Sequence, residues 1–301
     1  VSCRACGHVM KCPHCDVSLS EHRNGMLICH YCGYEEIRQQ NCPECGSKYL
    51  LGFKAGTEQI EEALHKEFPS ARVLRMDADT TRTKDSYEKI LSAFADEKAD
   101  ILVGTQMIVK GHDFPNVTLV GILAADLSLN QNDYRAGERT FQLVTQAAGR
   151  AGRGEKPGEV VIQTYQPEHY SIVHAAQQDY RGFYEEEITY RDFMRYPPAA
   201  HMLAVLITSK DREQGEELGR IMTDTVSAKC ACEEVYHKTQ LIGPAEASIS
   251  KINDIYRHVF YVKHEDYQVL VEIKDMLESF CKDRELRNQT VQYDFDPMNT
   301  Y

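Results

Sequence analysis

The sequence has no excess of positive charge, no long apolar run and few cysteines outside its first segment, and each shortage narrows what the chain can be. A membrane-spanning helix needs about 18 or more consecutive apolar residues. The longest candidate, Val117 to Ala125, is interrupted by Thr118 and closed by Asp126, so no membrane partner is expected. A basic, apolar leader is also missing, and a cysteine motif begins at Cys3, almost at once after Val1. The chain therefore reads as a piece of a longer protein. Its formal net charge is −12 over 301 residues. Because nucleic-acid binding draws mainly on Lys and Arg contacts to phosphate, any such footprint has to be local. The length suits two or three domains.

Cysteine, by contrast, is plentiful but confined. Eight of the eleven lie between Cys3 and Cys45, and only Cys230, Cys232 and Cys281 lie beyond. A secreted disulfide scaffold would spread them more evenly; tight clustering points to metal in a reducing cytosol. The eight form four C-x-x-C units, Cys3/Cys6, Cys12/Cys15, Cys29/Cys32 and Cys42/Cys45. Two sulfurs at that spacing grip one ion from a tight turn, and Gly7, Gly33 and Gly46 each follow the second cysteine of a unit, where the turn needs backbone freedom.

The stretch between Cys15 and Cys29 is close to the interval over which a zinc ribbon runs two short strands. This pairs Cys12, Cys15, Cys29 and Cys32 as an inner site and leaves Cys3, Cys6, Cys42 and Cys45 as the outer one. Four thiolates close a zinc site and leave no position for water, so both ions are expected to be structural. His8, His14, His22 and His30 are then surface or supporting groups. The basic residues Arg4, Lys11, Arg23, Arg38 and Lys48 are balanced by Asp16, Glu21, Glu35, Glu36 and Glu44. Protein contact or recognition of nucleic-acid shape fits this surface better than plain phosphate binding.

After residue 51 the pattern changes. Helices are expected over Thr57 to Phe68, about Asp85 to Ala95, and Arg135 to Ala148, alternating with strands at Arg72 to Met76, Ile101 to Val103, Val117 to Leu123 and Val160 to Thr164. A long helical stretch follows from Tyr170 to Arg195. Such alternation implies a parallel sheet with helices on both faces, and ligands sit at the carboxyl ends of such strands. Two polar segments fall there: Val103 to Pro115, which contains Gly104-Thr105, Lys110-Gly111 and Asp113, and Gln146 to Gly154, which contains Gly149-Arg150 and Gly152-Arg153. Arginine's planar fork suits the charge of a transferring phosphoryl group.

An arginine and glycine loop by itself is often only a solvated turn. In this order, however, G-T-x-x-x-x-K-G-x-D followed by Q-x-x-G-R-A-G-R resembles the two signatures of the second RecA-like lobe of superfamily 2 helicases. The four knuckles upstream narrow the likeness. Together with G-T-E at Gly56 to Glu58, F-P and R-x-D within Phe68 to Asp77, K-G-H-D-F-P at Lys110 to Pro115 and D-Y-R-A-G-E-R at Asp133 to Arg139, the chain resembles the primosomal replication-restart helicase family along essentially its whole length. Ala55 and Asn132 depart from the pattern, where glycine and proline are usual.

The resemblance implies a fold and a set of roles. The zinc module would be inserted in the second motor lobe and its cysteines paired in the nested way. Arg150 and Arg153 would complete an ATP site from across a cleft between lobes, with Gln146 positioning them. Gly111 and Asp113 would lie beside the nucleotide, and Thr105 and Lys110 near DNA. ATP and Mg²⁺ would serve the intact protein. Single-stranded and forked DNA, single-stranded DNA-binding protein, and primosome and helicase-loading proteins would be its partners. His112 is expected to pack or face solvent. No G-x-x-x-x-G-K-S/T phosphate loop and no D-E-x-H-type magnesium segment occur in the sequence, so this stretch alone is not expected to hydrolyse ATP.

Tyr196-Pro-Pro198 breaks the helical pattern and opens a third region. It reads strand (Met202 to Thr208), helix (from Glu213), strand (Leu241 to Ser250), strand (Tyr256 to Lys263), helix (Tyr267 to Phe280) and strand (Val291 to Asp296), a small two-layer α+β domain. The resemblance likens it to ribosomal protein S10. Lys251 and Arg257 could meet phosphate or an acidic peptide there, or be plain strand-end charges. The expected division is thus 1–51, 52–195 and 196–301. Two other functions fit fewer of these features: a non-catalytic zinc-ribbon scaffold for protein or nucleic acid, and a helicase of recombination or repair.

Overall fold

The computed structural model describes the chain except residues 4, 7, 22–24, 52–55, 82–83, 110–113, 132, 285, 287 and 300. The described residues group into two compact units. One comprises 1–52, 132–135 and 185–301; the other comprises 53–131 and 136–184.

In the first unit the cysteine-rich segment is built from short antiparallel pieces. Strand β1 (Ser2–Cys3) pairs with β5 (Leu50–Leu51), closing the segment end to end. Strands β2 (Ser20–Glu21), β3 (Met26–Ile28) and β4 (Glu35–Ile37) form a three-stranded sheet. As the spacing predicts, β2 and β3 lie between Cys15 and Cys29. The strands are too short to bury a core of their own. Met10, Leu19 and Leu27 instead pack around Cys12, Cys15 and Cys29.

The second unit starts with α1 (Thr57–Glu67), β6 (Val73–Met76), α2 (Lys84–Ala95) and β7 (Ile101–Gly104). It continues through a 3₁₀ turn at Gln106–Val109, β8 (Leu119–Ile122), α3 (Asp126–Leu129), α4 (Ala136–Ala148), β9 (Glu159–Ile162) and α5 (Tyr170–Gln177). Strands β6 and β7 pair in parallel, and so do β8 and β9. The parallel pairing agrees with the sequence, but the described strands make two separate pairs rather than one continuous sheet. The core of this unit lies between α4, α5 and the strand ends, where Phe141 stacks on Phe183 at 4.2 Å with Val144, Ile172 and Ala175 around them.

The expected helix from Tyr170 to Arg195 is two helices. Gln178 turns left-handed at φ 54°, which ends α5, and α6 (Tyr180–Met194) begins afresh. Asp179 makes the break stable: its carboxylate accepts from the Gly182 amide at 2.9 Å and meets His174 Nδ1 at 3.2 Å. Helical periodicity runs through the break because one or two residues out of register leave the apolar stripe nearly intact.

The last part of the first unit follows the predicted order. It comprises β10 (His201–Ser209), α7 (Arg212–Cys232), β11 (Gln240–Ile252), β12 (Ile255–His264), α8 (Tyr267–Asp283) and β13 (Gln289–Phe295). The sheet is antiparallel in the order β11-β12-β10-β13, a split βαβ arrangement. Leu203, Val205 and Ile207 of β10 point to one face, where Leu218, Met222 and Val226 of α7 and Leu270, Ile273 and Leu277 of α8 cover them. The other face holds Leu206, Ala247 and Val259 beneath Tyr261 and Tyr301. Asp211 and Asp266 cap α7 and α8 by accepting the amides of Gln214 and Gln268.

Candidate functional site

Two groups of four cysteines stand out. Cys3, Cys6, Cys42 and Cys45 form one and Cys12, Cys15, Cys29 and Cys32 the other, with the sulfurs of each group within 4.8 Å of one another. No histidine joins either cluster among the described residues. Neighbouring sulfurs are 3.6 Å apart for Cys3 and Cys45, 3.7 Å for Cys6 and Cys42, and 3.6 Å for Cys12 and Cys32. A disulfide would bring them to about 2.05 Å. Zinc–sulfur bonds of about 2.3 Å in a tetrahedron set the sulfurs about 3.8 Å apart, so the donors fit zinc.

The backbone explains how each unit takes this shape. In all four, the amide of the first cysteine donates to the carbonyl five residues on: Cys3 to His8, Cys12 to Val17, Cys29 to Tyr34 and Cys42 to Ser47, at 2.7, 3.0, 2.8 and 2.8 Å. Gly33 and Gly46, at φ 76° and 69°, then donate back to Cys29 and Cys42. The unit at Cys12 has Asp16 where the others have glycine.

Local amides also bias the thiols. The backbone amide of Cys6 lowers Cys3 to about 6. At Cys29, burial opposes the shift, but the amides of Cys32 and Tyr31 bring the thiol to about 7. These shifts favour the thiolate form of a metal ligand at Cys3 and Cys29, while burial and neighbouring thiols push Cys15 and Cys6 up to about 12. The inner cluster is the better shielded, for Cys12, Cys15 and Cys29 are buried whereas Cys6 and Cys45 of the outer one are exposed.

The basic residues around the clusters are largely engaged. Lys11 pairs with Asp16 at 3.1 Å, and Arg38 with Glu21 at 2.6 Å. Lys251 does not face an open phosphate site: its ammonium donates to the Pro13 carbonyl at 2.8 Å. Arg257 donates to the Ile249 carbonyl of its own hairpin at 3.1 Å. Both charges serve the fold, because a carbonyl within reach of a half-buried cation replaces the water it has lost.

In the second unit the two polar segments meet. Strand β7 ends at Gly104, where a side chain would collide with the Met76 carbonyl of β6. Thr105 follows, exposed, and its carbonyl accepts from Ile108 to form the 3₁₀ turn. The positions expected beside nucleotide and DNA, Gly111, Asp113 and Lys110, lie outside the described residues, as does His112. Phe114 packs edge-on against Phe94 at 5.0 Å.

Beyond it, Gly152 donates its amide to the Val117 carbonyl at 3.0 Å. Gly152 has φ 70°, and a Cβ there would sit 2.7 Å from the Gly158 nitrogen. A Cβ at Gly154 would strike the Pro115 carbonyl. The glycines of the second segment therefore let it lie directly against the end of the first. Gln146 is exposed near the end of α4, and Arg150 is half-buried just after it. Arg153 is exposed, and its Nε donates to the Gly149 carbonyl at 2.6 Å, across the helix terminus.

Several positioning residues carry no sequence signal of their own. Asp126 is 5% exposed at the start of α3, just past β8, and its carboxylate accepts from the Thr164 hydroxyl and the amides of Tyr165 and Gln166. It thereby ties together the carboxyl ends of β8 and β9. Other motif residues prove architectural. Thr57 of G-T-E donates to Asp77 of R-x-D at 2.5 Å, and Arg75, 7% exposed, lies 3.3 Å from Asp77. Tyr134 of D-Y-R-A-G-E-R stacks on Tyr196 at 5.1 Å and donates to the Pro297 carbonyl at 2.9 Å.

Parallel strand pairs, a G-R-A-G-R loop set against Pro115 and Val117, and two four-cysteine clusters define a helicase-type C-terminal lobe with a cysteine-rich module. Profiles of known families agree and follow one another along the chain. The PriA DNA helicase Cys-rich region domain matches residues 12–36, the helicase conserved C-terminal domain 45–155, and the primosomal protein N C-terminal domain 193–298. The chain is 45% identical over 299 residues to the replication restart protein PriA of Bacillus subtilis, covering 99% of this chain and 36% of that protein. It is 43% identical to that of Synechocystis over 93% of this chain and 34% of the relative. With that of Thermotoga maritima it shares 38% identity over 89% and 35%. It thus spans about a third of the length of these relatives. Over that third, the chain belongs to the PriA family of replication restart proteins.

Proposed function

We propose that this chain supplies the second RecA-like motor lobe, a two-zinc module and an S10-like terminal domain to an ATP-dependent 3′–5′ DNA helicase. The intact protein would recognise stalled or forked DNA in the cytoplasm and restart replication by assembling a primosome. The observation that carries the reading is the meeting of the two motif segments, with Gly152 bonded to Val117 and Gly154 against Pro115. The first of these segments leaves the carboxyl end of β7, where α/β sheets take their ligands, and the junction itself lies just before β8 and β9.

In this reading Arg150 and Arg153 face the γ-phosphate of ATP held with Mg²⁺ by a phosphate-loop lobe, and Gln146 orients them. The bond from Arg153 to the Gly149 carbonyl holds the side chain at the loop until lobe closure offers it a better acceptor. Gly111 and Asp113 line the nucleotide, and Thr105 and Lys110 meet DNA phosphates. Two zinc ions act as structural clamps on residues 1–51. Residues 196–301 would meet branched DNA and the tail of single-stranded DNA-binding protein, while other surfaces take primosome and helicase-loading partners. Charge supports a division of labour, because a chain of net −12 is unsuited to binding DNA over its whole surface.

The test is zinc content together with ATP hydrolysis on single-stranded and forked DNA, for this chain alone and for a longer chain that includes a phosphate-loop lobe. Two zinc ions per chain, no hydrolysis by this stretch, and hydrolysis by the longer protein that falls at least about 10³-fold in Arg153→Ala are expected. Undiminished hydrolysis in Arg153→Ala would remove the arginine from the mechanism.

A further inference from the structure

The unit at Cys12 and Cys15 departs from its neighbours in a way that the terminal domain makes good. In the units at Cys29 and Cys42, the glycine after the second cysteine donates its amide back to the first cysteine. Here the residue is Asp16, and its amide donates instead to the Lys251 carbonyl on β11, at 2.8 Å. The hairpin joining β11 and β12 turns at Asn253 and Asp254, both left-handed at φ 52° and 60°. This two-residue turn aims its backbone at the metal-binding unit.

Contacts at the tip are dense. The Asn253 amide donates to the Cys15 sulfur at 3.2 Å. The Asp254 amide donates to the His14 carbonyl at 2.9 Å, and its carboxylate meets His14 Nδ1 at 2.6 Å. Ser250 donates to the Asp16 carboxylate at 3.0 Å, and Lys251 to the Pro13 carbonyl at 2.8 Å. Ile252 packs on the apolar residues around the inner cysteines.

We propose that the hairpin Ser250–Asp254 of the terminal domain is part of the inner metal site, with Asn253 and Lys251 as its positioning residues. An amide aimed at a metal-bound thiolate stabilises its charge and fixes its direction, and partners of this kind commonly change metal affinity by about 10–100-fold. Because coupling is reciprocal, a hairpin that strengthens metal binding is itself ordered by the metal. The inner ion thereby locks the terminal domain to the cysteine-rich module, whereas the outer ion only closes β1 and β5. The inference rests on the reading that both clusters hold zinc.

The experiment uses the full 301-residue chain loaded with zinc and follows release to a chromophoric chelator, with hydrogen exchange in parallel. Two release phases are expected, and Cys6→Ser, in the outer cluster, should abolish the fast one. Lys251→Ala combined with Asp254→Ala should speed the slow phase by about tenfold or more and leave the fast phase unchanged. Asn253→Gly, which keeps both the amide and the left-handed turn, should release zinc like the parent chain. Removing the inner ion should raise exchange at the Asp16 and Asn253 amides while β10 stays protected, which separates uncoupling from unfolding. Two bound zinc ions with release and exchange indifferent to the hairpin would overturn the coupling alone. A chain that binds no zinc would overturn the zinc reading with it.

Discussion

The amide of Gly152 donates to the carbonyl of Val117 at 3.0 Å, and this bond ties the segment after α4 to the stretch that leads into β8. Next to it, Gly154 lies so close to the Pro115 carbonyl that no side chain fits. Gly154→Ala should therefore push the loops apart and destabilise the unit by about 1–3 kcal/mol, as overpacking does. Gly121→Ala, with open space around its Cβ, should stay within about 0.5 kcal/mol. Urea unfolding of both variants checks the contrast.

Asp126 should confer acid sensitivity. The Thr164 hydroxyl and then the Tyr165 amide hold its carboxyl below its ordinary 3.8. The folded state therefore binds this proton less readily than the unfolded chain. Its stabilisation is complete above the unfolded value and is lost as pH falls through it towards the folded one. Asp126→Asn should lower the melting temperature near neutrality and flatten the stability profile between about pH 5 and pH 3. A parallel displacement of the two profiles would show that the carboxylate's charge is not what the amides hold.

Glu187 and Arg191 form a buried ion pair at 2.7 Å, one helical turn apart on α6, and Arg191 also donates to the Pro197 carbonyl at 2.8 Å. Removing one partner leaves the other charge buried. Glu187→Ala should cost about 3–5 kcal/mol, and the double variant Glu187→Leu with Arg191→Met much less. Unfolding free energies of the parent and the two variants, compared side by side, give the answer.

His258 sits on β12 at 3% exposure, against Gly215 of α7, and neither ring nitrogen has a hydrogen-bond partner among the described residues. Burial lowers its pKa below 6.5, while Glu246 and Glu216 pull upwards and Arg212 pulls down. Below 6.5 the unfolded chain gains a proton that the folded chain resists, so stability falls as pH falls. His258→Leu should reduce that loss between about pH 6.5 and pH 5, read from melting temperatures at each pH. An unchanged slope would mean that other histidines dominate.

Much of this protein is legible in its residue order, because the relevant physics is short-ranged. Two thiols three positions apart chelate from one turn, whatever surrounds them. The unbroken apolar run from Met202 to Ile207 marks β10 as a strand buried on both faces. The nested pairing of the cysteines could be argued from the lengths between them, since a ribbon needs room for β2 and β3. The break at Gln178 was not legible, because the apolar period survives it.

What residue order left open are the contacts across long separations. Asp16 reads as one more surface carboxylate, and only its place opposite Lys251 shows why a knuckle can manage without glycine there. Lys251 reads equally as a contact for phosphate or an acidic peptide and as a plain strand-end charge until the fold puts it over the Pro13 carbonyl. Tyr134 belongs to a recognisable motif, yet its stacking on Tyr196 depends on where the intervening chain goes. Spacing and period settle bonds that close within a turn or a helix. Bonds between distant segments depend on which apolar faces are buried together, and packing chooses those for the whole chain at once.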